Sequence, residues 1–272
     1  MNEILGLDHI CATSKNIRSF SKNSKLFNYD VYFIEKNFLV DDKKNDILFG
    51  KNISHDALFL KNLKNTSIEL IEHHQENDEN TGPYNVIYES PSLDNIGSNV
   101  LNDNETTKYL SKIFNSNIHN FFDKQTNLSF FWKNSHMDLG LTTIILETKN
   151  LENSINFWTK NFNFKILDSL KISSCKLLQL NSPVKSWNTT LLLIENLDKK
   201  IETLFLNSKG WTCLSFIVKN IDSFLSEINN SDFSFIGNPY EIKIGGKNLK
   251  LVFLRGPEQQ LLELVEIKQN HD

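Results

Sequence analysis

One stretch of this chain recurs. GLDHICATSKNIRSF (residues 6–20), GLTTIILETKNLENSINFW (140–158) and GWTCLSFIVKNIDSFL (210–225) align on Gly6, Gly140 and Gly210, and again on Lys15-Asn16, Lys149-Asn150 and Lys219-Asn220. A weaker copy reads IGSNVLNDNETTKYLSKIF (96–114). An internal repeat constrains architecture more than any single motif, because each copy folds as the same small unit and must bury its apolar face against a neighbour.

The copies share a physical grammar. A run of seven or eight apolar-rich residues reads as a buried strand. Asn16, Asn104, Asn150 or Asn220 then stands where a helix N-cap belongs. The helix that follows carries one apolar stripe, as in Leu151, Ile155, Trp158 and Phe162 or Ile221, Phe224, Leu225 and Ile228. Three strand-like runs come next: VYFIEKNF, ALFLKN and SIELIEHH in the first unit, FKILDSL, CKLLQL and TTLLLIE in the third, YEIKI, LKLVFLR and LLELVEI in the fourth. The second unit shows two such runs, IHNFFDK and LSFFWK. The expected class is α+β, built from four βαβββ modules at about 5–75, 93–137, 139–197 and 209–268. The polar segment 75–95 reads as a linker with a short strand inside it. The short connection between the last two units favours pairing in order, giving an N-terminal pair over 1–137 and a C-terminal pair over 138–272.

Alternation along the first strand of each module separates two faces. Ile10 and Ala12, Ile144 and Leu146, and Leu214 and Phe216 form a uniformly apolar side suited to helix packing. The other side carries His9, Cys11 and Thr13, then Thr143, Ile145 and Glu147, then Cys213, Ser215 and Ile217, a mixture suited to a cavity wall. Glu69 in IELIE falls on the cavity side with His9, and Glu263 in LELVE aligns with Glu69. Glu72, Glu195 and Glu266, three places further on, read as solvent residues at strand ends.

These residues resemble the vicinal oxygen chelate superfamily, which includes glyoxalase I, extradiol dioxygenases and drug-resistance proteins. The likeness rests on LDHI, the helix after a polar turn and the closing IELIE, and it spans nearly the whole chain as four modules. It implies a fold of paired, curved, barrel-like sheets and a divalent metal (Zn, Fe, Mn or Ni) held by a first-strand His and a last-strand Glu. Carried onto this chain, those positions are His9 and Glu69. Glu69 and Glu263 are the implied ligands or proton-transferring bases. Cys213, Thr143 and Asn99 stand where the other modules would present their first-strand ligand. Only Glu263 fills a family ligand position in the C-terminal pair, which argues against a dioxygenase that keeps its iron there. Pairing of the first module with the last is the arrangement that would gather His9, Glu69, Cys213 and Glu263.

Two functions stay open on this reading. One is a metal-dependent enzyme on a small oxygenated substrate, of the lyase, isomerase or ring-opening class. The other is a metal-free protein that binds or sequesters a small molecule, with His9 and Glu69 as a hydrogen-bonded pair. The aromatic run Phe121, Phe122, Phe130, Phe131 and Trp132 suggests an apolar ligand pocket, or else core packing or a subunit interface. Gly245-Gly246 reads as a hairpin turn. A net charge of −4 without a basic stripe argues against nucleic acid as a partner. No apolar run reaches bilayer length, and the N-terminus lacks a basic leader. Three scattered cysteines fit a reduced, cytoplasmic setting. The fold is compatible with a monomer or a homodimer.

Overall fold

The computed structural model describes residues 3–23, 28–39, 42–50, 54–62, 65–74, 77–91, 99–101, 104–124, 126–136, 140–167, 170, 172–183 and 189–268. The first module runs β1 (Ile4–Thr13), α1 (Ile17–Asn23), β2 (Asp30–Leu39), a 3-10 turn (Asp42–Ile47), β3 (Ser54–Lys61) and β4 (Ser67–His73). The second holds β6 (Tyr84–Ser90), β7 (Asn99–Leu101), α2 (Glu105–Phe114), β8 (Ile118–Asp123) and β9 (Leu128–Asn134), after a short β5 (Asn77–Thr81). The third is β10 (Gly140–Thr148), α3 (Leu151–Phe162), β11 (Phe164–Leu167), β12 (Cys175–Leu180) and β13 (Thr190–Glu195). The fourth is β14 (Ser208–Val218), α4 (Ile221–Glu227), β15 (Phe235–Ile236), β16 (Tyr240–Ile244), β17 (Lys247–Arg255) and β18 (Leu261–Ile267).

The Asn residues of the repeat cap the helices. Asn16, Asn104, Asn150 and Asn220 each accept, through the side-chain oxygen, the backbone N–H three residues on. Such a cap contributes about 1 kcal/mol to its helix. A second tie was not foreseen. Glu72, Glu195 and Glu266 accept the first helical N–H of Ile17, Leu151 and Ile221 at 3.2, 3.4 and 2.9 Å. These carboxylates fasten each module's last strand to its helix; Glu266 is buried and Glu72 half-buried, against the solvent role read from the sequence, while Glu195 is exposed as read.

In every module the first strand lies parallel to the last: β1 to β4, β6 to β9, β10 to β13, β14 to β18. First strands then meet antiparallel, β1 with β14 and β6 with β10. Modules therefore pair first with fourth and second with third, and pairing in order is overturned. The short connection does not enforce proximity of cavity faces, since strand-to-strand pairing of the first strands satisfies their edges whichever modules are consecutive.

The second module also corrects the repeat alignment. Its first strand by pairing is β6, within the segment read as linker, with Gly82 three places before Asn85 as Gly6 precedes His9. The strand that contains Asn99 is β7, which pairs only with β8 and takes the edge position that β2 holds on β3. The N-cap at Asn104 was right, but the strand before it belongs to the edge.

The core separates into three layers. The apolar side of the first strands (Ile10, Ala12, Ile144, Leu146, Leu214, Phe216) is buried with helix residues Ile17, Phe20, Trp158, Phe162 and Phe224. Cys11, Ile71, Cys213, Leu251, Phe253, Leu261 and Val265 line the interior between modules one and four. Ile87, Phe131, Ile145, Leu177 and Leu192 fill the interior between modules two and three. Among the described residues no helix is long and apolar enough to cross a membrane.

Candidate metal centre

The pairing of β1 with β14 decides what shares a cavity. Cys11 lies opposite Glu69 on β4, Ser215 lies opposite Glu263 on β18, and across the antiparallel seam His9 meets Ser215 while Cys11 meets Cys213. The two modules are thus related by a local two-fold, which converts sequence positions 9, 69 and 263 into neighbours. His9 Nε2 lies 3.4 Å from Glu69 Oε2 and 3.6 Å from Glu263 Oε2. Cys11 Sγ donates to Glu69 Oε2 at 3.1 Å. His9 Nδ1 and Asp8 Oδ2 are 2.9 Å apart. That contact makes Nδ1 the donor to Asp8 and turns Nε2 inward.

Burial sharpens the electrostatics. His9 and Cys11 are almost fully enclosed. Burial lowers the His9 pKa, yet the Cys11 sulfur, Asp8 and Glu69 outweigh it and hold the imidazole well above its ordinary value. Burial raises Glu69, but His9 and the Cys11 thiol bring its carboxyl down to about 2. Burial pushes Glu263 up, with His9 only partly offsetting it. Burial also raises the Cys11 thiol.

A divalent ion fits this donor set. His9 Nε2 is buried and makes no hydrogen bond among the described residues. Nε2 faces two carboxylates beside a thiol, where a cation would take the place of its proton, and imidazole, carboxylate and thiolate are the donors of Zn and Fe sites. His9 Nε2, Cys11 Sγ and a Glu69 oxygen lie within 4.8 Å of one another. Glu263 falls outside that trio, 3.6 Å from His9 and beside Ser215.

The cavity above the trio encloses about 310 Å³. Phe33, Phe59, Leu249, Leu251, Phe253 and Val265 supply apolar walls. Phe33 stacks on Phe59 at 5.3 Å, and His9 meets the Phe59 edge at 5.1 Å. The Gly245-Gly246 turn joins β16 to β17, both glycines with positive φ, and Gly245 N–H donates to Glu35 Oε1 on β2. A side chain at Gly245 would also press on the Phe33 ring. The hairpin therefore closes against β2 at one side of the cavity.

Of the other site residues read from the sequence, Cys213 lies in the same interior, and Thr143, Trp132 and Asn99 lie elsewhere. Cys213 is fully buried opposite Cys11 and does not line the cavity. Thr143 belongs to the other barrel, where its hydroxyl pairs with Thr190 at 3.1 Å. Trp132 packs against the main core, stacks on His119 and donates to Ser90 Oγ at 3.0 Å. Asn99 sits on the edge strand β7, away from any first-strand position; its side chain lies outside the described residues. Phe121 and Phe130 stack within the main core and Phe131 fills the second interior, so that aromatic run is packing.

In that second barrel the positions matching His9 and Glu69 are Asn85 and Phe131 in module two, and Thr143 and Leu192 in module three. Apolar side chains occupy its interior. Cys11 and Asp8 were missed as functional residues, although strand alternation had placed Cys11 on the cavity side. Lys44 was missed for another reason: it comes from the 3-10 turn, outside the repeat.

No family model and no curated protein matches the chain. Solved structures do. A candidate dioxygenase from Bacillus subtilis subsp. subtilis str. 168 is similar over 99% of this chain and 87% of its own, with a TM-score of 0.65 at 9% identity. Glyoxalase I from Zea mays is similar over 96% of this chain and 92% of its own, with a TM-score of 0.63 at 14% identity. The chain has the vicinal oxygen chelate fold.

Proposed function

We propose that this chain is a divalent-metal-dependent enzyme acting on a small oxygenated substrate in the cavity between modules one and four. The observation that carries this reading is the buried His9 Nε2, without a hydrogen bond and directed between Glu69 and Glu263. His9, Cys11 and Glu69 hold the ion, and Asp8 orients His9. The nitrogen and sulfur donors favour Zn, Fe or Ni over Mn. A bound ion would supply Lewis acidity toward substrate oxygen.

Glu263 then has separate work. Its carboxyl is raised by burial, which suits a base that takes a proton from carbon and returns it. Phe33, Phe59, Leu249 and Phe253 surround that transfer with apolar walls. Proton movement of this kind supports isomerase, lyase or ring-opening chemistry. That glyoxalase I shares the fold supports this reading at the level of architecture.

The test is zinc titration of the chelated protein by calorimetry. Wild type takes up on the order of one ion per chain, and His9→Ala binds at least about tenfold more weakly. A wild type that takes up no Zn, Fe, Mn or Ni overturns the proposal.

A second reading rests on the same pair. A protonated His9 beside an ionised Glu69 satisfies both charges without an ion. The chain would then bind a small molecule in a metal-free cavity, and His9→Ala would leave that binding intact.

A further inference from the structure

Among the described residues, Lys44 is the lysine that the cavity encloses most deeply. It is 7% exposed, lines the same cavity as His9, Glu69 and Glu263, and makes no ion pair among the described residues. Its ammonium lies 5.5 Å from the centre of the Phe253 ring, a weak partner for a desolvated charge. The cavity's carboxylates are differently placed. Asp8 holds His9 Nδ1, Glu35 accepts Gly245 N–H, Glu69 accepts the Cys11 thiol, and Glu263 faces His9. The other lining lysines, Lys61 and Lys247, lie toward the Tyr32 ring at 3.3 and 5.9 Å.

The position of Lys44 is built. Its 3-10 turn is clamped to the segment that leads into module four. Leu206 N–H donates to Ile47 O at 2.8 Å, and Asn207 exchanges two bonds of 2.9 Å with the Phe49 backbone. The Arg255 guanidinium bonds Asp46 O at 3.4 Å and also Leu204 O. Four hydrogen bonds from module four and the segment leading into it thus hold this stretch of module one over the cavity. An enclosed ammonium without a counter-ion is costly unless something compensates it. Glu69 and Glu263 feel its charge without pairing with it.

We propose that Lys44 is an anion subsite, and that the cavity's ligand is an organic carboxylate with an apolar or aromatic body. The body lies on Phe33, Phe59, Leu249 and Phe253, and the carboxylate meets the Lys44 ammonium. This names the substrate class for the function proposed above and rests on that reading only for what happens next to the metal trio.

The experiment compares naphthalene-1-carboxylate with naphthalene-1-carboxamide by calorimetry, on protein as purified and after chelation. The chelated wild type should bind the carboxylate about tenfold more tightly than the amide. Lys44→Met should lose that preference while keeping its affinity for the amide, and Lys44→Arg should retain most of it. Lys44→Gln serves the same purpose should the Met variant fold poorly. Equal binding of the two probes by wild type, a preference that survives both neutral substitutions, or no binding of either probe overturns the proposal. Zinc uptake by Lys44→Met is measured in parallel. Unchanged uptake with a lost or absent carboxylate preference bears on Lys44 alone, whereas no uptake by wild type counts against the metal reading alone.

Discussion

Cys11 and Glu69 face each other across the parallel ladder of β1 and β4, and the Cys11 thiol donates to Glu69 Oε2 at 3.1 Å. Both side chains lie within 4.8 Å of the His9 imidazole nitrogen. A thiol that ligates a cation is deprotonated by it, whatever burial does to its pKa beforehand. Replacing the ion with Co(II) should therefore give an intense near-ultraviolet thiolate-to-cobalt band. Cys11→Ser should abolish the band and weaken cobalt binding. Cobalt binding with no such band would leave the metal site standing and remove Cys11 from it.

Asp8 should matter through His9. Its carboxylate holds Nδ1 at 2.9 Å and so aims Nε2. Outer partners of ligating histidines are worth about 10- to 100-fold in metal affinity. Asp8→Asn should lose affinity in that range with an unchanged melting temperature of the metal-free protein. Equal zinc affinity in Asp8→Asn and wild type would show that β1 alone orients the ring.

The two glutamates should separate. Glu69 belongs to the compact trio, whereas Glu263 lies outside it, 3.6 Å from His9 and beside Ser215. Glu69→Gln should weaken zinc binding by about tenfold or more, while Glu263→Gln should stay within a few-fold of wild type. Equal losses in calorimetric titration would make Glu263 a ligand and leave the chain without its assigned base.

Much of this was legible from the chain. Gly6, Gly140 and Gly210, followed by Asn caps, spelled out the module, and alternation put His9, Cys11 and Glu69 on one face. What escaped was how modules meet. His9 and Glu263 are 254 positions apart, and only the antiparallel seam of β1 and β14 brings them together. Nothing local in either strand encodes that choice, because a first strand offers the same backbone edge to any partner. The second module escaped because its edge strand precedes the helix, so the Asn104 cap drew the alignment to Asn99 and hid Gly82 and Asn85. Lys44 escaped because a short 3-10 turn carries no periodicity.

Acid should destabilise the fold before its carboxylates titrate. His55 and His73 are buried side by side, with ring centres 5.5 Å apart. Burial first, then the Lys44 charge for His55 and the His55 charge for His73, lower their pKa values from 6.5 to about 4 and about 3. The native state thus binds these protons more weakly than the unfolded chain. Stability is full above about 6.5 and falls as pH drops below it, by up to about 1.4 kcal/mol per unit for each ring. Urea unfolding of metal-free protein should show this slope between pH 6 and pH 5 (about two units above the folded His55 value). His73→Gln should shallow it. A flat profile across that window would mean that neither ring is held neutral by the fold.

The strand-to-helix carboxylates should rank by burial. Glu266 is 7% exposed, bonds Ile221 N–H at 2.9 Å and pairs with Lys268 at 3.1 Å. Glu195 does the same task on Leu151 N–H at 3.4 Å from an exposed position. A buried hydrogen bond to a charged acceptor is worth about 1.5–3 kcal/mol, and losing it also strands the Ile221 N–H. An exposed one is worth about 1 kcal/mol or less. Glu266→Ala should therefore cost about 2 kcal/mol in urea unfolding, and Glu195→Ala under about 1 kcal/mol. Because both glutamates stand at the same place in the repeat, the comparison holds topology fixed and varies only the surroundings. Equal costs would show that the repeat position, and not burial, sets the strength of the tie.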